Sequence, residues 1–288
     1  MRARAFVMLQ YLLPQHLLSR LIYHLTRSRI SWLRRTLTRL FVAGFRPDMS
    51  DAVQPDPLGY DSFNSFFTRA LRPDARPMPA AADDIACPVD GTVSMAGSIE
   101  DGRLLQAKDR NFTLDALLAG REPWIGAFRG GRFATIYLAP YNYHRIHMPM
   151  AGVLREGWYV PGQLFSVNAV TAQRVDNLFA RNERVICGFD GANGPFAMVL
   201  VGALFVGSMS TVWHGQITPA RRRAVSTLTP FPGAPSPTAA RGAELGRFNM
   251  GSTIILLLPP GGGEWSASLL PGRVVRLGET IGRPVTRE

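Results

Sequence analysis

The segment GRFNMGSTIILLLPP, residues 246–260, contains the features that decide the fold of this chain. Its second half, from Thr253, is a run of β-branched and aliphatic residues closed by two prolines, which is typical of a buried strand. Gly251 and Ser252 stand immediately before that strand. The dipeptide can be an ordinary turn, or Ser252 can be a nucleophile beside the carbonyl group of the residue before it.

Further segments rich in Val, Ile, Phe and Tyr recur from about residue 85 onward, and each predicts a strand bounded by Gly or Pro. They are residues 87–99, 132–140, 152–160, 183–189, 196–213 and 252–259. Short helices are predicted near residues 62–71, 113–120 and 170–182, and residues 229–244 predict an exposed, mobile loop rich in proline. We therefore expect an α+β protein with a mainly antiparallel β catalytic domain.

The N-terminal region predicts two amphipathic helices, over residues 5–26 and 30–45, in which leucine and aromatic residues alternate with arginine. A polar, proline-rich linker, residues 46–57, follows the second helix. We divide the chain into a membrane-associating segment, 1–50, and a catalytic domain, 51–288. The helices can also be a pair packed on the core, with arginines that are merely solvated. Neither a signal peptide nor a transmembrane helix is predicted.

The positive charge is concentrated at the N-terminus. The formal net charge is +11, and residues 1–46 contain nine arginines and no acidic residue. Such a charge indicates an anionic partner, either nucleic acid or an anionic membrane. No nucleic-acid-binding motif is recognisable, and the charge lies on apolar helices, so we expect a phospholipid surface and no nucleic acid. We expect a peripheral protein on the cytoplasmic face of the cell membrane.

The chain has few residues that could support cysteine redox chemistry, a lysine Schiff base or a metal site. Cys87 and Cys187 lack the spacing of a metal or redox pair. The chain has a single lysine, Lys108, so a pyridoxal phosphate enzyme would have to use that residue for its Schiff base. A metal site needs at least three protein ligands, and the histidines and carboxylates are too scattered to predict one.

Two histidines and one aspartate are candidates for proton transfer. His144 and His147 lie in a segment that follows a predicted strand, with Tyr141 and Tyr143 close by. Each histidine alone can be structural, but two within four residues favour a proton-transfer site. Asp90 and the glycine after it stand between apolar residues, and this dipeptide is typical of a turn. A carboxylate at this position can also orient a histidine.

Asp90, His147 and Ser252 therefore offer an acid, an imidazole and a hydroxyl in that chain order. In such a triad the acid sets the imidazole tautomer, the imidazole takes the hydroxyl proton, and the oxygen attacks a carbonyl group. The chain has no G-x-S-x-G segment, so an ordinary α/β-hydrolase is not predicted.

Taken together, three segments resemble the bacterial phosphatidylserine decarboxylases: PVDGTVS (88–94), YNYHRIHMPM (141–150) and RFNMGSTIILLLPP (247–260). The resemblance extends over nearly the whole chain. It includes FNSFFTRALRPDARP (63–77), LQAKDRNFTLDALLAG (105–120), VPGQLFSVNAVTAQRVDNLFARNERVI (160–186) and VGALFVGSMSTVWHGQITP (201–219). Each motif alone is weak, but all of them in order and at matching spacing are specific.

The resemblance implies a proenzyme that cuts itself between Gly251 and Ser252 into a large chain, 1–251, and a small chain, 252–288. Asp90, His147 and Ser252 match the positions of the self-processing triad of the family. Ser252 would become a pyruvoyl group that caps the small chain. The two chains would form a heterodimer, and these heterodimers a homo-oligomer.

The resemblance also implies the reaction, which is the decarboxylation of phosphatidylserine to phosphatidylethanolamine through a Schiff base to the pyruvoyl group. His144 matches a histidine implicated in that step, and Tyr137 is a candidate substrate-binding residue. His214 receives no role. The alternative is a membrane-associated scaffold that no longer processes itself.

Overall fold

The computed structural model describes residues 2–107, 110–205, 208–220, 224–228 and 235–285. Three helices form the N-terminal region, and five short ones lie around the sheets. Within the described residues they are α1 (Arg2–Leu12), α2 (Gln15–Arg27), α3 (Ser31–Phe45), α4 (Phe63–Phe67), α5 (Leu114–Leu118), α6 (Glu122–Phe128), α7 (Ala169–Ala172) and α8 (Leu178–Arg181).

The strands belong to one large sheet and three small ones. In the described parts of the chain they are β1 (Ile85–Ala86), β2 (Gly91–Ser98), β3 (Arg103–Ala107), β4 (Arg110–Thr113), β5 (Arg132–Tyr137), β6 (Arg145–His147), β7 (Gly152–Val160), β8 (Arg184–Gly191), β9 (Gly194–Val201), β10 (Met209–Thr211), β11 (Gly215–Gln216), β12 (Ser226–Thr227), β13 (Thr238–Ala239), β14 (Glu244–Phe248), β15 (Thr253–Leu258), β16 (Glu264–Trp265), β17 (Val274–Val275) and β18 (Thr280–Arg283).

The large sheet has the strand order β12-β7-β8-β9-β15-β5-β2-β17, with β13 also paired to β7. The small sheets have the orders β1-β18-β16, β11-β10-β14-β6 and β3-β4. All pairings between these described strands are antiparallel. The predicted α+β class with N-terminal helices and a mainly antiparallel β domain is confirmed.

Strand β15 is the centre of the large sheet, as the opening segment predicts. It pairs with β9 on one side and with β5 on the other, and all six of its residues are buried. Ile255 and Leu257 enter one hydrophobic core, whereas Ile254, Leu256 and Leu258 enter the core on the opposite face. A strand buried on both faces has to be apolar at every position, because successive side chains point to opposite sides.

Two predicted elements are divided in the structure. The helix predicted over residues 5–26 is two helices, α1 and α2, because Pro14 lacks a backbone N–H and restricts the conformation of the residue before it. The strand predicted over residues 196–213 is β9 and β10. Phe205 between them has a φ of 64°, which is incompatible with extended pairing. Helix α6 was not predicted.

The N-terminal helices bury several polar side chains and expose several large apolar ones, although Val7 and Phe41 are also buried. Their buried polar residues are Gln10, Gln15, Ser19, Thr26 and Thr38. Their exposed large apolar residues include Met8, Leu12, Leu17, Leu21, Trp32 and Leu40, of which Leu12 is 81% exposed and Trp32 is 69% exposed. Within the described chain, no helix combines the length and the apolar character that crossing a bilayer requires.

Helices α1 and α2 are attached to the β domain through two glutamines. The side-chain oxygen of Gln15 accepts a hydrogen bond from the backbone N–H of Leu164 at 2.7 Å. That of Gln10 accepts one from the backbone N–H of Ser166 at 2.8 Å. These buried bonds explain why polar residues of the helices face the protein.

The predicted loop over residues 229–244 lies partly outside the described residues, which resume at 235. In the described part, Thr238 and Ala239 form β13 and pair with β7. Arg241 then donates hydrogen bonds to the backbone carbonyl groups of Pro79 and Asp84. This part is therefore tied to the sheet, since a strand pairing and an arginine hold it.

Candidate active site

Gly251 and Ser252 lie in a tight connection between β14 and β15. The side chain of Asn64 donates to the carbonyl group of Asn249 at 2.8 Å, and the N–H of Asn249 donates to the carbonyl group of Ser208 at 2.9 Å. The N–H of Leu138 donates to the carbonyl group of Ser252 at 2.8 Å. The bond between Gly251 and Ser252 is thus held by groups from three other segments.

Ser252 is completely buried, and its Oγ atom has no hydrogen-bond partner among the residues that the structure describes. The buried hydroxyl groups of Thr135 and Thr253 share this property. Ser252 differs from them in the glycine that precedes it. A Cβ atom placed on Gly251 would lie 3.0 Å from Nε2 of His144 and 3.3 Å from the carbonyl oxygen of Leu138. Glycine therefore lets the imidazole approach the backbone closely.

His144 is a buried, neutral histidine whose free nitrogen faces Gly251. Its Nδ1 atom donates to the carbonyl oxygen of Asn142 at 2.9 Å, and Nε2 has no partner within the described chain. The ring lies 4.1 Å from that of Phe67, centroid to centroid. Burial lowers the pKa of His144 to about 3, and the nearby charge of Arg69 also lowers it. Nε2 therefore presents a lone pair toward Gly251.

Both ring nitrogens of His147 have partners. Nδ1 donates to the carbonyl oxygen of Gly242 at 2.7 Å, and the hydroxyl group of Tyr143 donates to Nε2 at 3.0 Å. Burial lowers the pKa of His147 and raises that of Tyr143, so the imidazole is neutral and the phenol is protonated. In this arrangement His147 does not bond to Ser252.

Asp90 is held by an arginine and by the C-terminal part of the chain. Its carboxylate accepts from Nε and Nη2 of Arg76 at 3.1 and 2.7 Å and from the N–H of Leu277 at 2.8 Å. Arg76 also pairs with Asp51 at 2.7 Å. The N–H of His147 donates to the carbonyl group of Pro88 at 2.9 Å, so Asp90 and His147 belong to adjacent segments.

The structure thus places His144 against Gly251 and Asp90 in the segment beside His147, and it does not join Asp90, His147 and Ser252 into a hydrogen-bonded triad. Asp90 contacts Arg76, His147 contacts Tyr143, and Ser252 Oγ contacts no described polar group. The catalytic roles that the resemblance implies for these residues stay predictions.

An apolar cavity of about 370 Å³ reaches Gly251. Tyr137, the predicted substrate-binding residue, lines it, and burial raises the pKa of its hydroxyl group. Helices α2 and α3 form one wall, through Ile22, Phe41 and Phe45. The remaining lining residues are Phe67, Leu138, Pro140, Ser166, Val167, Ala203, Leu204, Phe205, Met250 and Gly251. The cavity therefore joins the N-terminal helices to the candidate site.

The described residues contain no cluster of side chains that is suited to metal or thiol chemistry. No group of three or more His, Cys, Asp or Glu side chains there is arranged to hold a metal ion. Cys87 and Cys187 are free and buried, and burial raises the pKa of both thiols. Lys108 lies outside the described residues.

Several residues of the site were missed by reasoning from the sequence. They are Arg69, Arg76, Asn142, Ser208 and Asn249. Arg69 and Arg76 lie in the segment 63–77 that carries part of the resemblance, which is the one signal that pointed toward them. Their partners Asn142 and Asp90 lie 73 and 14 positions further along the chain, so only the fold identifies the contacts.

Comparisons with known proteins show which proteins the chain is similar to. A family model described as phosphatidylserine decarboxylase matches residues 63–283, and another, described as PSD, matches residues 5–46. A phosphatidylserine decarboxylase proenzyme of Ectopseudomonas mendocina is 50% identical over 98% of this chain and 99% of its own length. Those of Nitrosococcus oceani and Methylococcus capsulatus are 50% and 48% identical, over 96% and 97% of this chain and 90% and 96% of their own lengths.

These matches identify the class of protein first: the chain is a decarboxylase, a carboxy-lyase. More particularly, it belongs to the phosphatidylserine decarboxylase family.

Proposed function

We propose that this protein decarboxylates phosphatidylserine to phosphatidylethanolamine, at a site that it creates by cutting itself between Gly251 and Ser252. The observation that carries the proposal is the position of this bond. It lies at the end of an apolar cavity, where Ser252 Oγ and His144 Nε2 are both buried without a described partner. Such a hydroxyl contributes no hydrogen bond to the fold, which fits a side chain that is consumed by chemistry.

Self-cleavage begins when Ser252 Oγ attacks the carbonyl carbon of Gly251, and the acyl group moves from nitrogen to oxygen. Removal of the α-proton of Ser252 then expels the carboxylate of Gly251 and leaves a dehydroalanine. Its enamine takes up water and releases ammonia, which leaves a pyruvoyl group on the small chain. The large chain keeps the Gly251 carboxylate, so atoms and charge balance.

His147, oriented by Asp90, is the proposed base of self-cleavage. In the uncut chain its nitrogens bind Gly242 and Tyr143. It therefore has to exchange these contacts for Asp90 and Ser252 before it acts. The adjacency of the segments of Asp90 and His147, through the bond from His147 N–H to the Pro88 carbonyl group, supports the part of this exchange that involves Asp90.

The pyruvoyl group, when formed, supplies the electron sink that accepts the electrons left by the departing CO₂. His144 is proposed to lie beside the substrate carboxylate, where its Nε2 lone pair takes a proton from the substrate ammonium group and returns that proton to the α-carbon after CO₂ has left. Phe67 covers its ring, and the apolar surroundings destabilise a carboxylate relative to neutral CO₂. Tyr137 is proposed to bind substrate, since it lines the same cavity as Gly251.

After the cut, the two chains are proposed to stay together as a heterodimer. Strand β15 of the small chain lies between β9 and β5 of the large chain, and β17 and β18 pair with β2 and β1. The small chain thus takes part in two sheets with the large one. Association of heterodimers into a homo-oligomer is proposed on the resemblance.

Residues 1–50 are proposed to bind an anionic phospholipid surface, on the cytoplasmic face of the cell membrane, and residues 51–288 to carry out the chemistry. Two observations support this division. The N-terminal helices expose leucine and tryptophan, and large exposed apolar patches mark membrane or protein contacts. The cavity is also walled by α2 and α3, so a lipid can pass between them from the bilayer.

Arg35→Glu with Arg39→Glu should weaken binding to anionic vesicles by roughly 30-fold, because each arginine near such a surface contributes about 1 kcal/mol. Both residues are exposed on α3. Arg34 is left intact, since it donates to the carbonyl groups of Leu58 and Tyr60. Vesicle flotation measures the effect.

The control for this pair is Arg129→Glu with Arg276→Glu, which changes the net charge equally at exposed positions outside the helices. The control should float with anionic vesicles as the unaltered protein does. Equal flotation of both pairs would contradict the membrane assignment of α3.

Intact mass spectrometry of the denatured protein tests self-cleavage. The expected masses are those of residues 1–251 and of residues 252–288, the second lighter by one ammonia than a chain that begins with serine. A single mass for all 288 residues would instead favour the alternative, a scaffold that no longer processes itself.

A further inference from the structure

Arg69, which follows α4, is a buried arginine without an acidic partner. It is 3% exposed, and within the described residues it forms no ion pair. Its Nη2 atom donates to the carbonyl groups of Tyr141 and Asn142 at 3.2 and 3.4 Å. Nε and Nη1 are buried and have no partner in the described chain. A buried charge with so few bonds is costly and requires an explanation.

Arg184 is equally buried and shows how the hydrogen-bond donors of a structural arginine are used. It is 2% exposed and also lacks an acidic partner among the described residues. Through all three of its nitrogens it donates to backbone carbonyl groups, those of Ala116, Leu117, Ala180 and Asn182. Arg69 uses one nitrogen alone, so fold stability by itself is a poor account of its position.

The carbonyl groups that Arg69 binds belong to the loop that orients His144. Asn142 closes this loop on Ala139: its Oδ1 accepts from the N–H of Ala139 at 2.8 Å, and its own N–H donates back at 2.9 Å. The carbonyl oxygen of Asn142 then accepts both from Arg69 and from Nδ1 of His144. A continuous set of contacts thus runs from Arg69 through Asn142 and His144 to Gly251.

We propose that Arg69 is a positioning residue for the reaction: it holds the Asn142 carbonyl group, which selects the Nδ1-protonated tautomer of His144 and keeps the Nε2 lone pair directed at Gly251. A carbonyl oxygen only accepts hydrogen bonds, so the nitrogen that faces it must carry the proton. If the loop shifts, the ring is free to turn or to adopt the other tautomer. The catalytic meaning of this arrangement rests on the proposed function, but the tautomer itself does not.

The charge of Arg69 acts in the same direction as the geometry. The groups that face His144 are the apolar ring of Phe67, the backbone of Gly251 and of Asn142, and Arg69, whose charge alone among described side chains acts on the imidazole. A nearby positive charge disfavours the imidazolium ion. Arg69 therefore favours a neutral imidazole.

The first test is nitrogen-15 NMR of histidine-labelled Ser252→Ala protein, which stays uncut and therefore uniform. The His144 signal is identified by its loss in a His144→Gln variant. With Arg69 present, the spectrum should show the Nδ1-protonated tautomer alone. In Arg69→Met, at least about a fifth of His144 should adopt the Nε2-protonated form. Arg69→Lys should give an intermediate share, because lysine keeps the charge but its shorter side chain does not bring a nitrogen to the position of Nη2.

Arg184→Met is the matched control, since it removes an equally buried arginine away from the site and should leave the His144 tautomer unchanged. An unchanged tautomer in Arg69→Met would overturn the proposal. If Arg69→Met does not fold, Arg69→Lys decides alone, and a spectrum equal to that with Arg69 overturns the proposal.

The second test is a double-mutant cycle on decarboxylation by the processed enzyme. Arg69→Lys should lower kcat by about 10-fold with little change in KM, because a misplaced catalytic group slows chemistry. In a His144→Ala background the same change should cost nothing more. Independent, additive losses would overturn the proposal. If His144→Ala itself leaves decarboxylation intact, the proposed function of His144 fails, whereas the NMR result still decides the role of Arg69.

Discussion

Ser252→Ala should give a single uncut chain without decarboxylase activity. The substitution removes the oxygen that attacks Gly251 and also the atom from which the pyruvoyl group is made, so the loss is complete. The fold should be retained, because Ser252 Oγ has no hydrogen-bond partner in the described chain. Intact mass spectrometry and an assay of CO₂ release from phosphatidylserine measure the two effects.

Thr253→Val is the matched control for this experiment. Thr253 is the next residue, and its hydroxyl group is also buried without a described partner. Valine has nearly the same shape, so β15 should keep its packing, and cleavage should proceed. The assignment of Ser252 is refuted if Ser252→Ala still yields fragments 1–251 and 252–288, or if Thr253→Val blocks cleavage equally.

His144→Ala should lower the rate of decarboxylation by about 100- to 10,000-fold, which is the usual contribution of a positioned acid or base. Cleavage at Gly251 should persist at least in part, because His147 is the proposed base for that step. The two functions are then separable: the mass spectrum shows two chains, and CO₂ release nearly stops. Dividing the rate of CO₂ release by the fraction of the chain that is cut makes the comparison independent of the extent of processing.

His214→Ala is the control for loss of an imidazole, since His214 lies in the turn between β10 and β11 and receives no role in the reaction. It should be cut and active. Normal turnover in His144→Ala would mean that another group returns the proton to the substrate.

The pH dependence offers a further check on His144 within the same experiment. Burial lowers its pKa to about 3, so the imidazole is neutral throughout pH 5–8 and gains a proton only in more acidic solution. Protonation of His144 should therefore cause no fall in the rate of decarboxylation at the acidic end of that pH range. An inflection between pH 5 and 8 that disappears in His144→Ala would contradict the buried, neutral state.

The two histidines differ in how they are held, and this difference suits different tasks. His147 has partners at both nitrogens, Gly242 and Tyr143, and must exchange them to reach Ser252. His144 has one partner, and its free nitrogen already faces Gly251. A base that acts once can afford a rearrangement, whereas a group used in every turnover benefits from being placed beforehand.

The sequence by itself determined the features that depend on local patterns. The apolar run after Ser252 predicted a buried strand, and β15 is that strand. Residues 152–160 predicted β7 with its observed bounds. The pattern of apolar residues along a strand, and the glycines or prolines that bound it, are properties of neighbouring residues in the sequence. They can therefore be recognised without knowledge of the fold. The family resemblance likewise depends on the order of motifs along the chain.

Only the tertiary structure decided which groups meet. Arg76 is the partner of Asp90, Arg69 binds the loop before His144, and the N-terminal helices bury five polar side chains while they expose leucine and tryptophan. None of these follows from spacing, because Arg69 and Asn142 are separated by 73 positions and meet through the packing of α4 on the connection after β5. Local sequence sets which elements form. Long-range packing sets which side chain faces which, and that choice determines the tautomer and charge of His144 and His147.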